Sequence, residues 1–205
     1  MTIVIPARNE EATLPLLLLA LQAWRGADCE LLVVDGGSGD ATVAVAAPLA
    51  DRVLVTEPGR ALQMNAGAAA ARGDALWFLH ADTRLPAAAV PRVRAALARR
   101  SWGRFDVRLS GRHPLLRLVE RLMNLRSRLS GIATGDQGLF VRREVFAAVG
   151  GFPPLPLMED VALSRALKRS GPPACLAGPL VTSSRHWERD GILRTVLLMW
   201  RLRFA

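Results

Sequence analysis

The strongest constraint on the fold is the alternation of short apolar runs with amphipathic or alanine-rich stretches over the first eighty residues. The short runs end at turn residues and predict strands, and the longer stretches between them predict helices. Strands and helices that alternate at this spacing predict an α/β protein, with a mostly parallel, Rossmann-like sheet and helices on both faces. The predicted strands are Thr2–Pro6, Glu30–Asp35, Arg52–Thr56 and Ala75–His80, and the predicted helices are Glu10–Trp24, Asp40–Ala47 and Arg60–Arg72.

The pattern becomes less regular after His80. The predicted elements there are a helix at Ala87–Arg100, a strand at Phe105–Leu109, a basic amphipathic helix at Leu115–Leu129, and short helices at Arg143–Val149 and Glu159–Arg169. A length of 205 residues is typical of one domain, so we expect a single domain over residues 1–205.

Composition excludes several classes of protein. A chain with 51% hydrophobic and 22% charged residues is not disordered. Its two cysteines, Cys29 and Cys175, are too few for a disulfide framework and match no zinc-site spacing. No basic leader precedes the first apolar residues, and no apolar run is long enough to span a membrane. These observations predict a cytoplasmic protein.

The net charge of +9 is unevenly distributed. Between Arg84 and Arg128 the chain has twelve Arg and only two acids, Asp106 and Glu120, so this basic stretch carries +10 and the rest of the chain −1. Such a stretch indicates a polyanionic partner, which could be a diphosphate, an anionic lipid or a nucleic acid. The chain has no recognisable nucleic-acid motif and no Tyr, so we expect no nucleic acid among its partners.

The residues that follow the predicted strands are the candidates for ligand binding, because ligands of doubly wound sheets bind beyond the carboxyl ends of the strands. The first strand ends at Pro6, and polar residues follow it. The second ends at Asp35, before a glycine-rich turn that lacks the third glycine of a dinucleotide-binding motif. Asp35 has no packing reason to end an apolar strand, whereas it could accept a hydrogen bond from a base nitrogen or a ribose hydroxyl.

Two pairs of polar residues each have a structural and a functional interpretation. His80 and Asp82 alternate along the fourth strand, so both could point into one crevice, but the same pair is common in solvated loops. A carboxylate at Asp82 could hold Mg²⁺ or Mn²⁺ between two phosphates. Glu159 and Asp160 follow an apolar, proline-rich segment; Asp160 could cap the next helix, or one of the pair could have a raised pKa and act as a general base.

Five segments, taken together and in order, resemble glycosyltransferase family 2, the inverting sugar-nucleotide enzymes with the GT-A fold. More narrowly, they resemble its small stand-alone bacterial branch of arsenosugar-biosynthesis type, which is related to enzymes that glycosylate carotenoid acids. The resemblance covers residues 2 to about 170. The segments are IVIPARNEE, LLVVDGGSGDAT, GRALQMNAGAAAARGDALWFLHADT, GDQGLFVRREVFAAVGGFP and MEDVALSRALKRSG.

The resemblance implies a role for each candidate residue. Asp82 matches the last acid of the family's DxD motif and would bind Mg²⁺ or Mn²⁺, whereas His80 replaces the first acid and leaves less charge for the cation. Asp160 matches the base that deprotonates the acceptor. The residues that would bind the nucleotide sugar are Pro6, Arg8, Glu10, Asp35, Arg60, His80 and Asp82. Residues 1–83 would form a nucleotide-binding half, 84–185 an acceptor half and 186–205 a C-terminal amphipathic helix.

The implied activity is transfer of a sugar, with inversion, from a nucleoside-diphosphate sugar to an acceptor hydroxyl or carboxyl group. The basic helix carries an apolar stripe, which indicates either that the helix packs in the core or that it binds an anionic membrane surface. In the second case the protein would lie at the inner face of the cell membrane, where a lipid-like acceptor would be found. The alternative is a basic protein without catalytic activity that binds membranes or nucleic acid. The stripe consists of Leu115, Leu118, Val119, Leu122, Leu125 and Leu129, with Arg117, Arg121 and Arg128 opposite.

Overall fold

A seven-stranded sheet forms the centre of the protein in the computed structural model, which describes residues 1–26 and 29–191. The strand order is β3-β2-β1-β4-β6-β5-β7, and within these residues only β6 runs against the others. The predicted α/β class and mostly parallel sheet are confirmed. The strands are β1 Thr2–Ala7, β2 Glu30–Asp35, β3 Arg52–Val55, β4 Ala75–Phe78, β5 Trp102–Leu109, β6 Phe140–Arg142 and β7 Ala174–Thr182.

Helices cover both faces of the sheet. The residues of β1 alternate between two apolar clusters: Ile3 and Ile5 face the cluster under α1 and α4, and Val4 faces the cluster under α3 and α7. The helices are α1 Leu14–Leu21, α2 Thr42–Ala46, α3 Arg60–Ala70, α4 Ala89–Leu97, α5 Pro114–Ser130, α6 Arg143–Ala148, α7 Glu159–Leu167 and α8 Arg185–Asp190, with 3₁₀ turns at Gln22–Trp24, Gly135–Gln137 and Lys168–Ser170.

Two element boundaries near the sheet edge differ from the sequence prediction. The first helix begins at Leu14 rather than Glu10, because Pro15 has no amide hydrogen and fits only the first turn of a helix. Strand β4 ends at Phe78 rather than His80, and residues 80–83 form a turn in which the amide of Thr83 donates to the carbonyl of His80 at 3.1 Å. His80 and Asp82 therefore belong to a turn, and the alternation predicted for a strand is wrong.

The C-terminal segment is described only in part. Helix α8 covers Arg185–Asp190, whereas most of the predicted amphipathic helix at 186–205 lies outside the described residues. Among the described helices, none combines the length and the apolar character that a bilayer crossing requires.

Candidate active site

The loops after β1 and β2 are bound to each other at the carboxyl edge of the sheet. The amide of Asn9 donates to Oγ of Ser38 at 2.9 Å, and Oδ1 of Asn9 accepts from the amide of Gly39 at 2.9 Å. Gln63 of α3 lies beneath them and donates from Nε2 to the carbonyls of Ala7 and Val34, at 2.9 and 2.8 Å. Sequence reasoning did not identify Gln63, because an amide within an alanine-rich helix resembles a surface residue.

Asp35 has a structural role that the sequence did not reveal. Its buried carboxylate accepts from the amides of Gly37 and Ser38, at 3.0 and 2.9 Å, and from the hydroxyl of Ser38. The expectation that nothing in the packing explains this acid is therefore wrong, since the carboxylate shapes the turn after β2. The carboxylate of Asp40 also accepts a local hydrogen bond, from the hydroxyl of Thr42. This hydrogen bond lowers the pKa of Asp40.

Arg8 and Glu10 lie on the loop after β1. Arg8 is exposed and has no hydrogen-bond or ion-pair partner among the described residues, so its guanidinium group is available to a ligand. Glu10 accepts from the hydroxyl of Thr13, and Nη2 of Arg185 lies 4.0 Å from its carboxylate. The sequence predicts a helix N-terminus at Glu10, but α1 begins at Leu14. Glu10 therefore does not lie at a helix end that could stabilise an anion.

A cleft lies between the ends of β1 and β4 and the segment that precedes β6. Gly135 lies at a narrow part of it: a Cβ at this position would lie 2.5 Å from Nη2 of Arg60 and 2.7 Å from Nε2 of His80. The cleft therefore brings together side chains from both halves of the chain. Arg60, His80, Gly135 and Asp160 border it, together with apolar residues that include Pro6, Phe78 and Phe152.

His80 is held in this cleft by an acid that the sequence analysis did not select. Its Nδ1 lies 3.2 Å from Oδ1 of Asp136, and its Nε2 is buried without a hydrogen-bond partner in the described residues. Asp136 lies in the GDQG segment of the family resemblance, and this position in the sequence is the signal that could have identified it as a candidate. The half-buried Asp82 lies in the turn two residues beyond His80, and its side chain has no partner in the described part of the chain.

Glu159 and Asp160 occupy the first turn of α7 in different surroundings. Oδ2 of Asp160 accepts from the amide of Gly135 at 2.5 Å, and Oδ1 accepts from the amide of Val161 at 2.6 Å. Glu159 is buried, and its Oε1 lies 3.4 Å from Nε of Arg60. Burial, and then the neighbouring charge of Asp160, raise the pKa of Glu159, while Arg60 opposes that rise. The acid with the raised pKa is thus Glu159.

The structure brings Pro6, Arg60, His80 and Asp160 into one cleft. Arg8 and Glu10 lie on the loop after β1, Asp35 ends β2, and Asp82 lies in the adjoining turn. The described residues contain no group of three or more His, Cys, Asp or Glu that could enclose a metal ion. Mg²⁺ does not need such a group, because one or two carboxylates and the phosphates of a substrate complete its coordination. The unpaired carboxylate of Asp82 fits that requirement.

Curated proteins with similar sequences are longer than this chain, which spans less than half their length. An undecaprenyl-phosphate 4-deoxy-4-formamido-L-arabinose transferase of Pseudomonas paraeruginosa is 32% identical over 158 residues, which are 69% of this chain and 45% of the relative. A glycosyltransferase of Mycobacterium bovis without an assigned function is 37% identical over 97 residues, 47% of this chain and 43% of the relative.

Solved structures show the same fold. The 1–349 fragment of TarS from Staphylococcus aureus, in complex with UDP, superposes with a TM-score of 0.70 at 20% identity, over 89% of this chain and 60% of that one. Glucosyl-3-phosphoglycerate synthase of Mycobacterium tuberculosis, in a complex that includes Mn²⁺ and UDP, superposes with a TM-score of 0.65 at 22% identity. The match covers 93% of this chain and 74% of that one. The fold is GT-A. The family model described as "Glycosyl transferase family 2" matches residues 2–147, well over half of the sequence, and the chain therefore belongs to that family of glycosyltransferases.

Proposed function

We propose that the protein transfers a sugar from a nucleoside-diphosphate sugar to an acceptor hydroxyl or carboxyl group with inversion at the anomeric carbon. The observation that carries the proposal is the cleft itself, where a carboxylate, a guanidinium group and an imidazole converge from both halves of the chain: Asp160, Arg60 and His80. A basic group for the donor and an acid for the acceptor are what a single displacement requires at one place.

The donor would lie along the carboxyl edge of the sheet. Arg8 is exposed and unpaired among the described residues, so it can bind the diphosphate, and Arg60 borders the same cleft. Asp82 would hold Mg²⁺ or Mn²⁺ together with oxygens of the diphosphate. When bound, the cation offsets the negative charge that develops on the leaving diphosphate. UDP-sugars are the first donors to test, since TarS is described in complexes with UDP and with UDP-GlcNAc.

The transfer would proceed as one displacement. The acceptor oxygen attacks C1 of the sugar while the bond from C1 to the diphosphate oxygen breaks, and the bond electrons leave with the diphosphate. Asp160 takes the proton of an acceptor hydroxyl; an acceptor carboxylate would bring no proton and would need no base. Arg60 stabilises the charge on the leaving group, because a fixed cation in a cleft stabilises the transition state without reorganisation. Nothing remains covalently attached to the protein, and the anomeric centre is inverted.

The acceptor is proposed to be lipid-like. The relative from Pseudomonas paraeruginosa is named for an undecaprenyl-phosphate acceptor. In this chain, Leu155 and Leu157 are exposed on the segment that leads to Asp160, so apolar surface adjoins the proposed base. Apolar side chains at that position can bind an acyl or prenyl chain while its polar end enters the cleft.

The donor part of the proposal is tested by thermal stabilisation. A ligand that binds only the folded state raises Tm, so a panel of nucleotide sugars with and without Mn²⁺ should give one donor whose shift depends on the metal. Asp82→Asn should weaken metal and donor binding together. Asp74→Asn is the matched control, because the Asp74 side chain is highly exposed and lies outside the cleft. A donor shift that survives unchanged in Asp82→Asn contradicts the metal assignment, and the absence of any donor shift contradicts the proposed function.

A further inference from the structure

Helix α5 exposes a row of leucines that its own domain does not cover. The helix packs on β5 through its other side, where Asn124 binds both backbone groups of Val107 at 2.9 Å and Glu120 accepts from the amide of Leu109 at 3.0 Å. The exposed fractions are 52% for Leu118, 55% for Leu122 and 79% for Leu129. We call the row the leucine face; it consists of Leu115, Leu118, Leu122, Leu125 and Leu129. The five leucines of the predicted stripe therefore do not pack in the core, whereas its sixth member, Val119, is half-buried.

The leucine face is narrow, continuous and bordered by arginine. At 100° per residue its five members fall within an arc of about 80°, and they span about 21 Å along the axis. The exposed Arg121 follows on one border; Arg126 follows on the other, but Nε and Nη2 of its guanidinium group are buried and have no hydrogen-bond acceptor among the described residues. A leucine row beside an exposed arginine such as Arg121 is typical of helices that lie in a membrane interface, where arginines extend to the headgroups.

Only part of the basic stretch is available to a partner. Arg104 is fully buried and paired with Asp106, and other arginines of the stretch also bind acids or backbone carbonyls of the protein. Arg112, in the turn before α5, and Arg121 on α5 itself are exposed and unpaired in the described part of the chain. The arginines with internal partners are Arg92, Arg104, Arg117 and Arg128. Part of the free positive charge thus lies next to the leucine face, while Arg99, Arg100 and Arg108 are exposed elsewhere on the surface.

We infer that the leucine face of α5 docks the protein on an anionic lipid bilayer. The occupant is a membrane because the face combines apolar surface with unpaired positive charge, and an anionic bilayer offers the complement of both. A second copy fits less well, since a two-fold contact through this face would place the arginines of one copy against those of the other. Residues 192–205, which follow α8, are also rich in aliphatic residues and contain three Arg and no acid. This inference goes beyond the transfer reaction and does not depend on it.

Flotation with lipid vesicles tests the surface directly. The full chain should float with phosphatidylglycerol vesicles at low salt, much less at high salt, and not with phosphatidylcholine vesicles, because the attraction is electrostatic and screened. The double variant Leu118→Gln/Leu122→Gln should bind about tenfold more weakly, since it removes two apolar side chains from the interface. The matched control is Leu16→Gln/Leu19→Gln on α1, whose leucines are 61% and 56% exposed and lie outside the leucine face.

Each outcome decides for or against the leucine face. Loss of flotation in the α5 variant, with flotation, Tm and donor stabilisation retained in the control, supports it. It is overturned if the wild-type protein does not float, or if the α5 variant floats as the wild type does. It is also overturned if that variant converts a dimer into a monomer, because a second copy then covers the leucines. Donor stabilisation of the same variants reports separately on the proposed transfer activity, so the failure of one proposal leaves the other standing.

Discussion

Glu159 and Asp160 are neighbours in sequence, yet the protein uses their carboxylates differently. Asp160 binds the amides of Gly135 and Val161, so it holds the narrow part of the cleft as well as being the proposed base. Glu159 is buried beside Arg60, and the net effect of its surroundings raises its pKa. Ionised Glu159 therefore positions Arg60 at a cost to the stability of the fold.

The raised pKa of Glu159 predicts a pH dependence of stability. Below about pH 4.5 the carboxyl group of Glu159 is protonated in both the folded and the unfolded chain. As pH rises, the unfolded chain loses this proton first. The free energy of unfolding therefore falls with pH until the pKa of Glu159 in the folded protein is reached. Glu159→Gln has no proton to release there. We therefore expect its Tm, relative to the wild type, to increase between pH 4.5 and 7. Glu144→Gln is the control, because it removes a carboxylate that is 77% exposed. A flat or falling Tm difference for Glu159→Gln would contradict the assignment.

Asp160→Asn should affect both stability and turnover. An amide offers one acceptor oxygen instead of two, so either Gly135 or Val161 loses its partner, at about 1–3 kcal/mol. Loss of a positioned base should reduce kcat by roughly 10²–10⁴ for a hydroxyl acceptor, with little change in KM for the donor. Ser164→Ala is the control, because Oγ of Ser164 binds the backbone of Ala133 and of Asp160 but does not contact the carboxylate. An equal fall in kcat for Ser164→Ala would indicate a structural role for Asp160.

At the scale of elements, α3 positions the site because it lies unusually close to β1 and β2. A Cβ on Gly67 would overlap Cγ1 of Val4 and lie 3.1 Å from Cγ2 of Val34, so only glycine allows this approach. The same helix begins with Arg60 and carries Gln63, which binds the carbonyls at the ends of both strands. The distance between α3 and the sheet therefore determines where Arg60 lies in the cleft.

Gly67→Ala should destabilise the fold although it improves helix propensity. Propensity favours Ala over Gly by about 1 kcal/mol, but overpacking against a rigid, buried valine costs about 1–3 kcal/mol, so we expect a lower Tm or denaturant midpoint. Gly39→Ala is the matched control, because no atom lies within 4 Å of a Cβ at that position and its φ is not positive. A Gly67→Ala protein as stable as the wild type would show that the helix and sheet can separate without loss.

Sequence predicted the elements well where local patterns control them and poorly where packing does. Strands β1, β2 and β4 follow from the sequence because each is a short, buried apolar run, and α5 follows from the helical spacing of its leucines, although those leucines are exposed. Strand β7 was not predicted, since Gly178 and Pro179 interrupt it and a register shift opposite Asp106 accommodates them. In the candidate site, strand ends and the family resemblance selected Asp160 and His80 as candidates, but the pairing of His80 with Asp136 and the burial of Glu159 depend on tertiary contacts that no local pattern encodes.

At the scale of the whole molecule, Asn65 of α3 joins the two halves of the chain. Its Nδ2 donates to the carbonyl of Phe152 at 2.8 Å, and its Oδ1 accepts from the amide of Phe152 at 2.9 Å. The ring of Phe152 meets that of Phe78 edge to face, with centroids 4.9 Å apart. Phe152 begins the segment that leads to Glu159 and Asp160, so these contacts fix the proposed base relative to the donor side.

Asn65→Ala should therefore uncouple the two halves without removing any residue of the cleft. Two backbone groups of Phe152 lose their partner, which should cost about 1–3 kcal/mol and speed amide hydrogen exchange across residues 150–158. Donor affinity should stay near that of the wild type while kcat falls, because Asp160 is no longer held at the acceptor. Gly67→Ala, on the same helix but without contact to Phe152, controls for a general loss of stability. If exchange at 150–158 is unchanged, or if donor affinity falls as far as kcat, Asn65 does not couple the base to the donor side.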